Sequence, residues 1–371
     1  MFSAFYIIAG VVLLVVGAEC LVRGASAMAA SFGVSPLVIG LTIVAFGTSA
    51  PELAVSVVAS FSGQPDLTVG NVVGSNIFNV LAILGSSALV VPLVVHQKLI
   101  RFDVPLMIAV SVLFLWFSQD QVISQGEGVL MFAGVIAYTV FCLLTGRDES
   151  AEVQQEYAQE FSEEATDIVV AESNPVRSKW LKLSIELVLV LVGAGMLVLG
   201  SRLLVDGAVE ICRRLGVSEL VIGLTVIAAG TSLPELATSV MAALRNERDI
   251  AVGNVVGSNL FNILAVLGLS SAVSPGGIPV TDQAIDFDIP VMVAVAVACL
   301  PVFFTGGHIA RWEGGLFFAY YFLYAAALVL IAVDSEHLPA YRTLMFWFVI
   351  PLSVVTLLVM PRGSLASEKP D

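Results

Sequence analysis

The sequence predicts an all-α integral membrane protein of two inverted five-helix repeats, with an extra eleventh transmembrane helix at the C-terminus. The composition, the spacing of apolar segments and a long internal repeat predict this fold class. Of the 371 residues, 58% are hydrophobic and 12% are charged, and the mean hydropathy is +0.97. Soluble domains carry about twice that share of charged residues, so most of this chain is expected to lie in lipid or against helices that do.

Apolar segments long enough to cross a bilayer recur along the whole chain. A spanning helix needs about 20 consecutive, mostly apolar residues. The first segment has no basic residues before it and no cleavage site after it, which favours a retained helix over a removed signal peptide. Five segments lie in each half and one follows them: residues 4–22, 35–61, 69–92, 103–118, 128–145, 183–204, 218–244, 251–273, 287–305, 314–333 and 343–360.

The internal repeat divides the chain into two equivalent halves. Residues 33–85 and 216–268 align without a gap, 183 residues apart, and agree at 35 of 53 positions. Because each half holds five spans, an odd number, the second half is expected to enter the membrane with opposite polarity, as in the inverted repeats of many transporters. The predicted organisation is a first repeat at 1–145, a linker at 146–182, a second repeat at 183–333, and an extra span with a tail at 334–371.

Basic residues predict how the chain is oriented in the cell (inner) membrane. With the N-terminus outside and the C-terminus in the cytoplasm, twelve Lys and Arg residues face the cytoplasm and four face outside. This is the bias that cytoplasmic loops show. The linker then lies in the cytoplasm, and its nine acids between Asp148 and Glu172 are interpreted as a solvated or partly helical segment.

One glutamate lies deep within a spanning segment of each half. Glu52 is the only charged residue between Ser35 and Phe61, and the same context returns around Glu235. A carboxylate at that depth costs about 3 kcal/mol or more unless a cation or a proton compensates it. Each half therefore brings one buried acid that needs a partner.

A proline precedes each of these glutamates, in GTSAPE (Gly47–Glu52) and GTSLPE (Gly230–Glu235). Proline cannot donate to the helical ladder, so carbonyl oxygens near Gly47 and Gly230 are expected to be freed, and freed carbonyls in lipid need a partner. The neighbouring hydroxyls are further oxygen donors: Thr48, Ser49, Thr231 and Ser232. A proline kink that only satisfies its own backbone is the alternative, but it does not require a glutamate at the next position in both copies.

A second motif reads GNVVGSNIFN at Gly70–Asn79 and GNVVGSNLFN at Gly253–Asn262. A serine and an asparagine four residues apart share one helix face in each copy. These residues are Ser75 and Asn79, and Ser258 and Asn262. The glycines have the i, i+4 spacing that allows helices to approach closely. The remaining asparagines are interpreted as interhelical hydrogen-bond formers or caps: Asn71, Asn76, Asn254 and Asn259.

These side chains together offer only oxygen ligands. Hard cations such as Ca²⁺ and Na⁺ prefer oxygen, and two carboxylates neutralise one Ca²⁺. The three histidines fall in or near loops, and the four cysteines are isolated, which fits free thiols. No cofactor and no nucleic-acid partner are expected.

The paired motifs resemble the alpha-1 and alpha-2 repeats of the sodium/calcium exchanger family, within the Ca²⁺/cation antiporter superfamily, and especially its compact prokaryotic members. The resemblance covers spans 1 to 10 and implies that the matching residues bind the transported ions, with Glu52 and Glu235 as charged ligands. The other implied ligands contribute hydroxyl, amide or carbonyl oxygens: Thr48, Ser49, Thr231, Ser232, Ser75, Asn79, Ser258, Asn262, Ala45 and Ala228.

Two features depart from the family pattern. Asn262 is an amide where many relatives, including potassium-dependent ones, carry aspartate, which puts potassium co-transport in doubt. The segment Thr343–Met360 would be an eleventh span beyond the usual ten. Relatives with a large loop between the repeats are regulated by Ca²⁺, but the linker here has no EF-hand spacing and is too short for folded regulatory domains.

The predicted function is a secondary active antiporter that exports Ca²⁺, driven by Na⁺ entering through the same site. The resemblance to the family implies that spans 1 and 6 slide over the remaining helices of the repeats. Ca²⁺/H⁺ exchange at the same glutamates is the alternative within this class. An intramembrane enzyme would lack a nucleophile or a water-activating metal of its own, and a cation channel would lack a filter-like segment. The expected partners are Ca²⁺, Na⁺ and the lipid bilayer.

Overall fold

The structure is a computed structural model that describes residues 2–61, 66–145, 175–217, 222–223, 226, 228–304, 307–345 and 347. Most of these residues lie in helices. The first half contains α1 (Phe2–Phe32), α2 (Pro36–Thr48), α3 (Ala50–Phe61), α4 (Leu67–Val90), α5 (Leu99–Asp120) and α6 (Gln125–Thr145). The second half contains α7 (Pro175–Arg214), α8 (Ala228–Gly230), α9 (Leu233–Leu244), α10 (Arg248–Val273), α11 (Ala284–Phe304), α12 (Arg311–Ala332) and α13 (Leu338–Leu344).

Within the described ranges, eight helices are long and apolar enough to cross a membrane, and α2 and α3 together form a ninth such segment, bent by 45°. These nine correspond to nine of the eleven predicted apolar segments. The chain is thus a multi-pass membrane protein. Of the other two, the segment at 218–244 contains α8 and α9 but also undescribed residues, and the proposed eleventh span at 343–360 lies almost wholly outside the described residues.

Helix α1 extends ten residues beyond the end of its predicted apolar segment at residue 22. Charged residues mark that predicted end, but they are paired in the structure. The guanidinium of Arg23 lies 2.6 Å from the Glu19 carboxylate, and Glu19 also pairs with Arg245 at the end of α9. Such an i, i+4 pair fits within a continuous helix, and the helix ends only at Phe32, before Gly33 with its left-handed backbone at φ 65°.

The equivalent helices α1 and α7 pack against each other along a seam of glycines. A Cβ placed on Gly17 would lie 2.9 Å from the carbonyl oxygen of Gly193, and one on Gly200 would lie 2.9 Å from that of Gly10. The absence of side chains lets the two backbones approach this closely. Residue numbers along the seam rise in one helix as they fall in the other, so the two helices run antiparallel.

Two short strand pairs join connections between helices. β1 (Leu93–Val94) pairs antiparallel with β4 (His308–Ile309), and β2 (Val122–Ile123) pairs antiparallel with β3 (Ile278–Pro279). The sequence predicted no strands, because two residues are too few to show an alternating pattern. Each pair ties a connection of the first half to one of the second.

The helices α4 and α10 form the centre of the molecule. The most apolar stretch of α10 is wholly buried, and α4 is the next most buried helix. Both contain a π-helical turn that begins at the last residue of the second motif, Asn79–Leu84 in α4 and Asn262–Leu267 in α10. Such turns are rare and often occur at functional sites.

Candidate functional site

The two copies of the GTSxPE motif each interrupt a helix at the serine, two residues before the proline. α2 ends at Thr48, and Ser49 leaves the helical conformation at φ −81°, ψ 5°. Ser232 has φ −93°, ψ 10° and precedes the first residue of α9. Proline is favoured in the first turn of a helix, where no N–H partner is needed. The glutamates therefore lie in the first turns of α3 and α9, and each is only 1% exposed.

Two backbone carbonyl oxygens near the helix breaks, those of Gly230 and Ala45, accept hydrogen bonds. Gly230 O accepts a hydrogen bond from Ser201 Oγ of α7 at 2.6 Å, a contact that the sequence analysis missed. Ala45 O accepts from Ser49 N at 3.0 Å and lies 3.3 Å from Thr48 Oγ1. The carbonyl of Ala45 thus already has donors in this conformation, and a cation would have to replace one of them. Ala228 is the first residue of α8.

Each buried glutamate is contacted by a serine of the opposite repeat. Ser49 Oγ lies 3.2 Å from Glu235 Oε1, and Ser232 Oγ lies 3.2 Å from Glu52 Oε1. Ser232 Oγ also lies 3.1 Å from Ser75 Oγ of α4. Each glutamate is therefore contacted by a side chain of the other repeat. The helix breaks at Ser49 and Ser232 lie together with α4 in one buried polar centre.

Asparagines at the start of the second motif support the glutamate helices. Asn254 donates to Ser239 Oγ at 2.9 Å and to Glu235 O at 3.4 Å, while its Oδ1 accepts from Thr48 Oγ1 at 3.2 Å. In the first repeat, Asn71 donates to Ser56 Oγ at 3.0 Å and to Glu52 O at 3.3 Å, and lies 3.5 Å from Thr231 Oγ1.

These contacts confirm the prediction that Asn71 and Asn254 are interhelical hydrogen-bond formers. The sequence analysis did not single out Ser56 and Ser239. A signal was present, because each follows its glutamate by four residues in both copies and therefore shares its helix face.

Several oxygens of the predicted ligands are buried and have no hydrogen-bond partner within the described part of the chain. Burying a polar atom without a partner costs about 1–3 kcal/mol, so such atoms are rare and call for an explanation. A cation bound beside such an oxygen would supply the missing partner. The atoms are Glu52 Oε2, Glu235 Oε2, Asn79 Oδ1, Asn262 Oδ1 and Ser258 Oγ.

The predicted close approach of the motif glycines is confirmed in one copy. A Cβ on Gly253 would lie 3.0 Å from Leu37 O, and one on Gly257 would lie 2.7 Å from Leu41 O. In the other copy, no described atom lies within 4 Å of such a Cβ on Gly70 or Gly74. Their counterpart neighbours would be residues 220 and 224, which fall outside the described residues.

Comparison with known proteins identifies relatives along nearly the whole chain. The family model described as "Sodium/calcium exchanger protein" matches residues 2–144 and 185–330. A putative antiporter, CaxA of Alkalimonas amylolytica, is 40% identical over 309 residues, which are 83% of this chain and 92% of that protein. The sodium/calcium exchanger MaX1 of Methanosarcina acetivorans is 33% identical over 345 residues, 87% of this chain and 97% of that protein.

A solved structure gives the same result. The sodium-calcium exchanger NCX_Mj, soaked without Na⁺ and Ca²⁺, matches with a TM-score of 0.72 and 30% sequence identity over 88% of this chain and 99% of that one. The resemblance found in the two motifs thus extends to the whole fold. The chain belongs to the sodium/calcium exchanger family.

Proposed function

We propose that this protein is a secondary active antiporter that exchanges Ca²⁺ for Na⁺ at a single central site. The observation that carries the proposal is the set of buried, unpartnered oxygens contributed by the glutamates and by Asn79, Asn262 and Ser258. Two carboxylates, two amide oxygens and a hydroxyl form a hard, all-oxygen ligand set, which suits Ca²⁺ and Na⁺. Family membership supports the transport of these ions.

Charge explains why the two ions would exchange and not bind together. The paired carboxylates compensate the two charges of one Ca²⁺. Adding Na⁺ to a site already neutralised by Ca²⁺ would leave net positive charge in a low-dielectric interior, which is costly. Na⁺ entering the site therefore displaces Ca²⁺, and this mutual exclusion couples the two gradients.

The proposed ligands take different roles. Glu52 and Glu235 supply the charge. The remaining residues supply neutral oxygens: Thr48, Ser49, Thr231, Ser232, Ser75, Asn79, Ser258 and Asn262, with the backbone carbonyls of Ala45 and Ala228. The contacts that link Ser49 to Glu235 and Ser232 to Glu52 support one site shared by both repeats.

Alternating access would follow from the inverted arrangement of the repeats. The antiparallel packing of the equivalent helices α1 and α7 supports inversion, and so do the site contacts, which recur with the repeats exchanged. The glycine seam keeps α1 and α7 together as a pair. We propose that this pair slides over the other helices and opens the site to one side at a time.

The strand pairs support a membrane crossing by the segment that contains α9. Two paired strands must lie on the same side of the membrane, so an even number of spans separates them. Between β2 and β3 lie α6, α7, α10 and the segment that contains α9, which makes four if that segment crosses.

The proposed division is a repeat at 1–145, a cytoplasmic linker at 146–182, a second repeat at 183–333, and a span with a cytoplasmic tail at 334–371, with the N-terminus outside.

Ca²⁺/H⁺ exchange is the second candidate. Each glutamate has one carboxylate oxygen without a partner, and a proton on that oxygen would also neutralise the buried charge. The chemistry of the site therefore allows protons as well as Na⁺ as the counter-ion. Neither candidate involves catalysis, and an enzyme would need a nucleophile or an activated water among these residues.

The test is uptake of radiolabelled Ca²⁺ into liposomes containing the purified protein. An outward gradient of Na⁺, of K⁺ or of H⁺ is imposed in turn, with protein-free liposomes as the control. Uptake driven by the Na⁺ gradient is expected. Uptake driven only by the H⁺ gradient would establish the second candidate, and no gradient-driven uptake under any condition would refute antiport.

A further inference from the structure

Four buried asparagines join α4 and α10 in two matched pairs. Asn79 Nδ2 donates to Asn259 Oδ1 at 3.0 Å, and Asn262 Nδ2 donates to Asn76 Oδ1 at 3.0 Å. No more than 2% of any of the four side chains is exposed. In each pair, one residue belongs to the proposed ligand set, Asn79 or Asn262, and the other does not.

The direction in which a carboxamide faces decides whether it can bind a cation. One end of the group is an oxygen with two lone pairs, and the other is an NH₂ group with two donors. A rotation of 180° exchanges the two ends with almost no change in shape. An asparagine that presented its NH₂ group would repel a cation, so a ligand asparagine needs something that fixes its orientation.

The outer contacts of Asn76 and Asn259 provide that constraint. Asn259 Nδ2 donates to Met107 Sδ at 3.4 Å. Asn76 Nδ2 donates to Met292 Sδ at 3.6 Å and to Asn259 O at 3.3 Å. A thioether sulfur and a backbone carbonyl can only accept, so the NH₂ groups of Asn76 and Asn259 must face them. The side-chain oxygens of Asn76 and Asn259 are then left to face the ligand asparagines.

We infer that Asn259 and Asn76 are positioning residues that make Asn79 and Asn262 present oxygen to the transported cation. Because Asn259 offers only an oxygen, Asn79 must turn its NH₂ group toward it. The Oδ1 atom of Asn79 is then the end left buried without a partner, and the same holds for Asn262 with Asn76. Met107 sets the orientation of Asn259, and the Asn259 carbonyl together with Met292 sets that of Asn76. The orientation of each ligand amide follows from that of its partner. This inference rests on the proposed function, in which Asn79 and Asn262 are ligands.

The test uses the fact that aspartate carries oxygen at both ends and needs no orienting partner. Asn259→Leu removes the orienting oxygen at similar volume. In the protein with Asn79 we expect it to weaken Ca²⁺ binding about 10- to 100-fold, as is typical when a group that orients a metal ligand is lost. In an Asn79→Asp background, the same change should alter the affinity by less than about twofold, or tighten binding. Calorimetric titration of the purified variants with Ca²⁺ measures both ratios.

An Asn262→Asp background is the matched control, because it adds the same charge at the asparagine that Asn259 does not orient. In the Asn262→Asp background, Asn259→Leu should still weaken Ca²⁺ binding about 10- to 100-fold. Met107→Leu is a milder second variant, since it removes only the sulfur acceptor at nearly constant volume. It should weaken binding in the same direction, and Asn79→Asp should again remove the effect.

Two outcomes separate the inference from the proposed function. The positioning role is overturned if Asn259→Leu lowers the Ca²⁺ affinity equally with Asn79 and with Asn79→Asp, or if it does not lower the affinity with Asn79. Either result leaves the site itself intact. Absence of Ca²⁺ binding by the wild-type protein, or binding unchanged by Glu52→Gln, would instead overturn the site itself.

Discussion

Replacing one of the two buried glutamates by glutamine should weaken Ca²⁺ binding by at least about 150-fold while leaving the fold intact. Glu52 Oε1 accepts from Ser232 at 3.2 Å, and a glutamine oxygen can keep this bond. Glu52 Oε2 has no hydrogen-bond partner among the described residues, so its replacement by NH₂ breaks no hydrogen bond there. What is lost is one of the two negative charges that compensate the divalent ion.

The magnitude follows from the burial of the site. Removing one partner of a buried ion pair costs about 3–5 kcal/mol, which corresponds to roughly 150- to 5,000-fold weaker binding. At a Ca²⁺ concentration of about 100 times its Kd, the wild-type protein gains about 2.7 kcal/mol of stability, whereas a 150-fold weaker variant gains only about 0.3 kcal/mol. Glu235→Gln should behave in the same way, because Ser49 contacts Glu235 as Ser232 contacts Glu52.

Thermal unfolding with and without Ca²⁺ measures this difference, and Ca²⁺ uptake into liposomes measures its effect on transport. Glu127→Gln is the matched control, since Glu127 accepts from Ser124 N at the start of α6 and is not a proposed ligand. It should keep the full Ca²⁺-induced shift. A wild-type shift and wild-type uptake in either Glu52→Gln or Glu235→Gln would refute the assignment of the two carboxylates.

Two further predictions concern the helix seam and the orientation. Gly193→Ala should lower the free energy of unfolding, measured by denaturation, by about 1–3 kcal/mol, because its Cβ would lie 2.7 Å from Gly17 O. Gly195→Ala on the same helix is the control. Its Cβ meets no described atom within 4 Å, so it should be nearly neutral in the same assay. Equal effects of the two alanines would contradict the close packing of α1 and α7. In a background without native cysteines, an impermeant thiol reagent applied to intact cells should label a cysteine at position 335 and none at 162 or 367. Labelling at 367 but not 162 would remove the eleventh span, and labelling at 162 would reverse the topology.

The positions of nine of the eleven predicted membrane segments could be predicted from composition, because long apolar segments have few alternatives in lipid. The apolar segment at 4–22 did not show how far α1 continues, because the charges of Glu19 and Arg23 end an apolar segment without ending a helix. The short strands were missed for another reason. Two residues carry no periodic signal, and their pairing joins connections that are far apart in the sequence.

The candidate site could be predicted wherever a residue type is unusual for its surroundings. Glu52 and Glu235 stand out because a charge in an apolar helix is expensive. Supporting residues gave weaker signals. Met107 is an ordinary residue for an apolar helix, and its contact with Asn259 depends on the way α5 packs beside α10. The unpartnered state of Asn79 Oδ1 likewise appears only once its neighbours are placed.

The central claim is that Ca²⁺ and Na⁺ compete for one site between the two glutamates. Diffraction from crystals soaked with Sr²⁺, which scatters strongly and replaces Ca²⁺ chemically, tests it most directly. We expect one strong peak coordinated by oxygens of both Glu52 and Glu235, slightly farther from them than the roughly 2.3–2.6 Å of Ca²⁺ because Sr²⁺ is the larger ion. This peak should be lost when Na⁺ is raised. A divalent ion bound elsewhere, or one that stays between the glutamates while Na⁺ fills adjacent sites, would contradict the account.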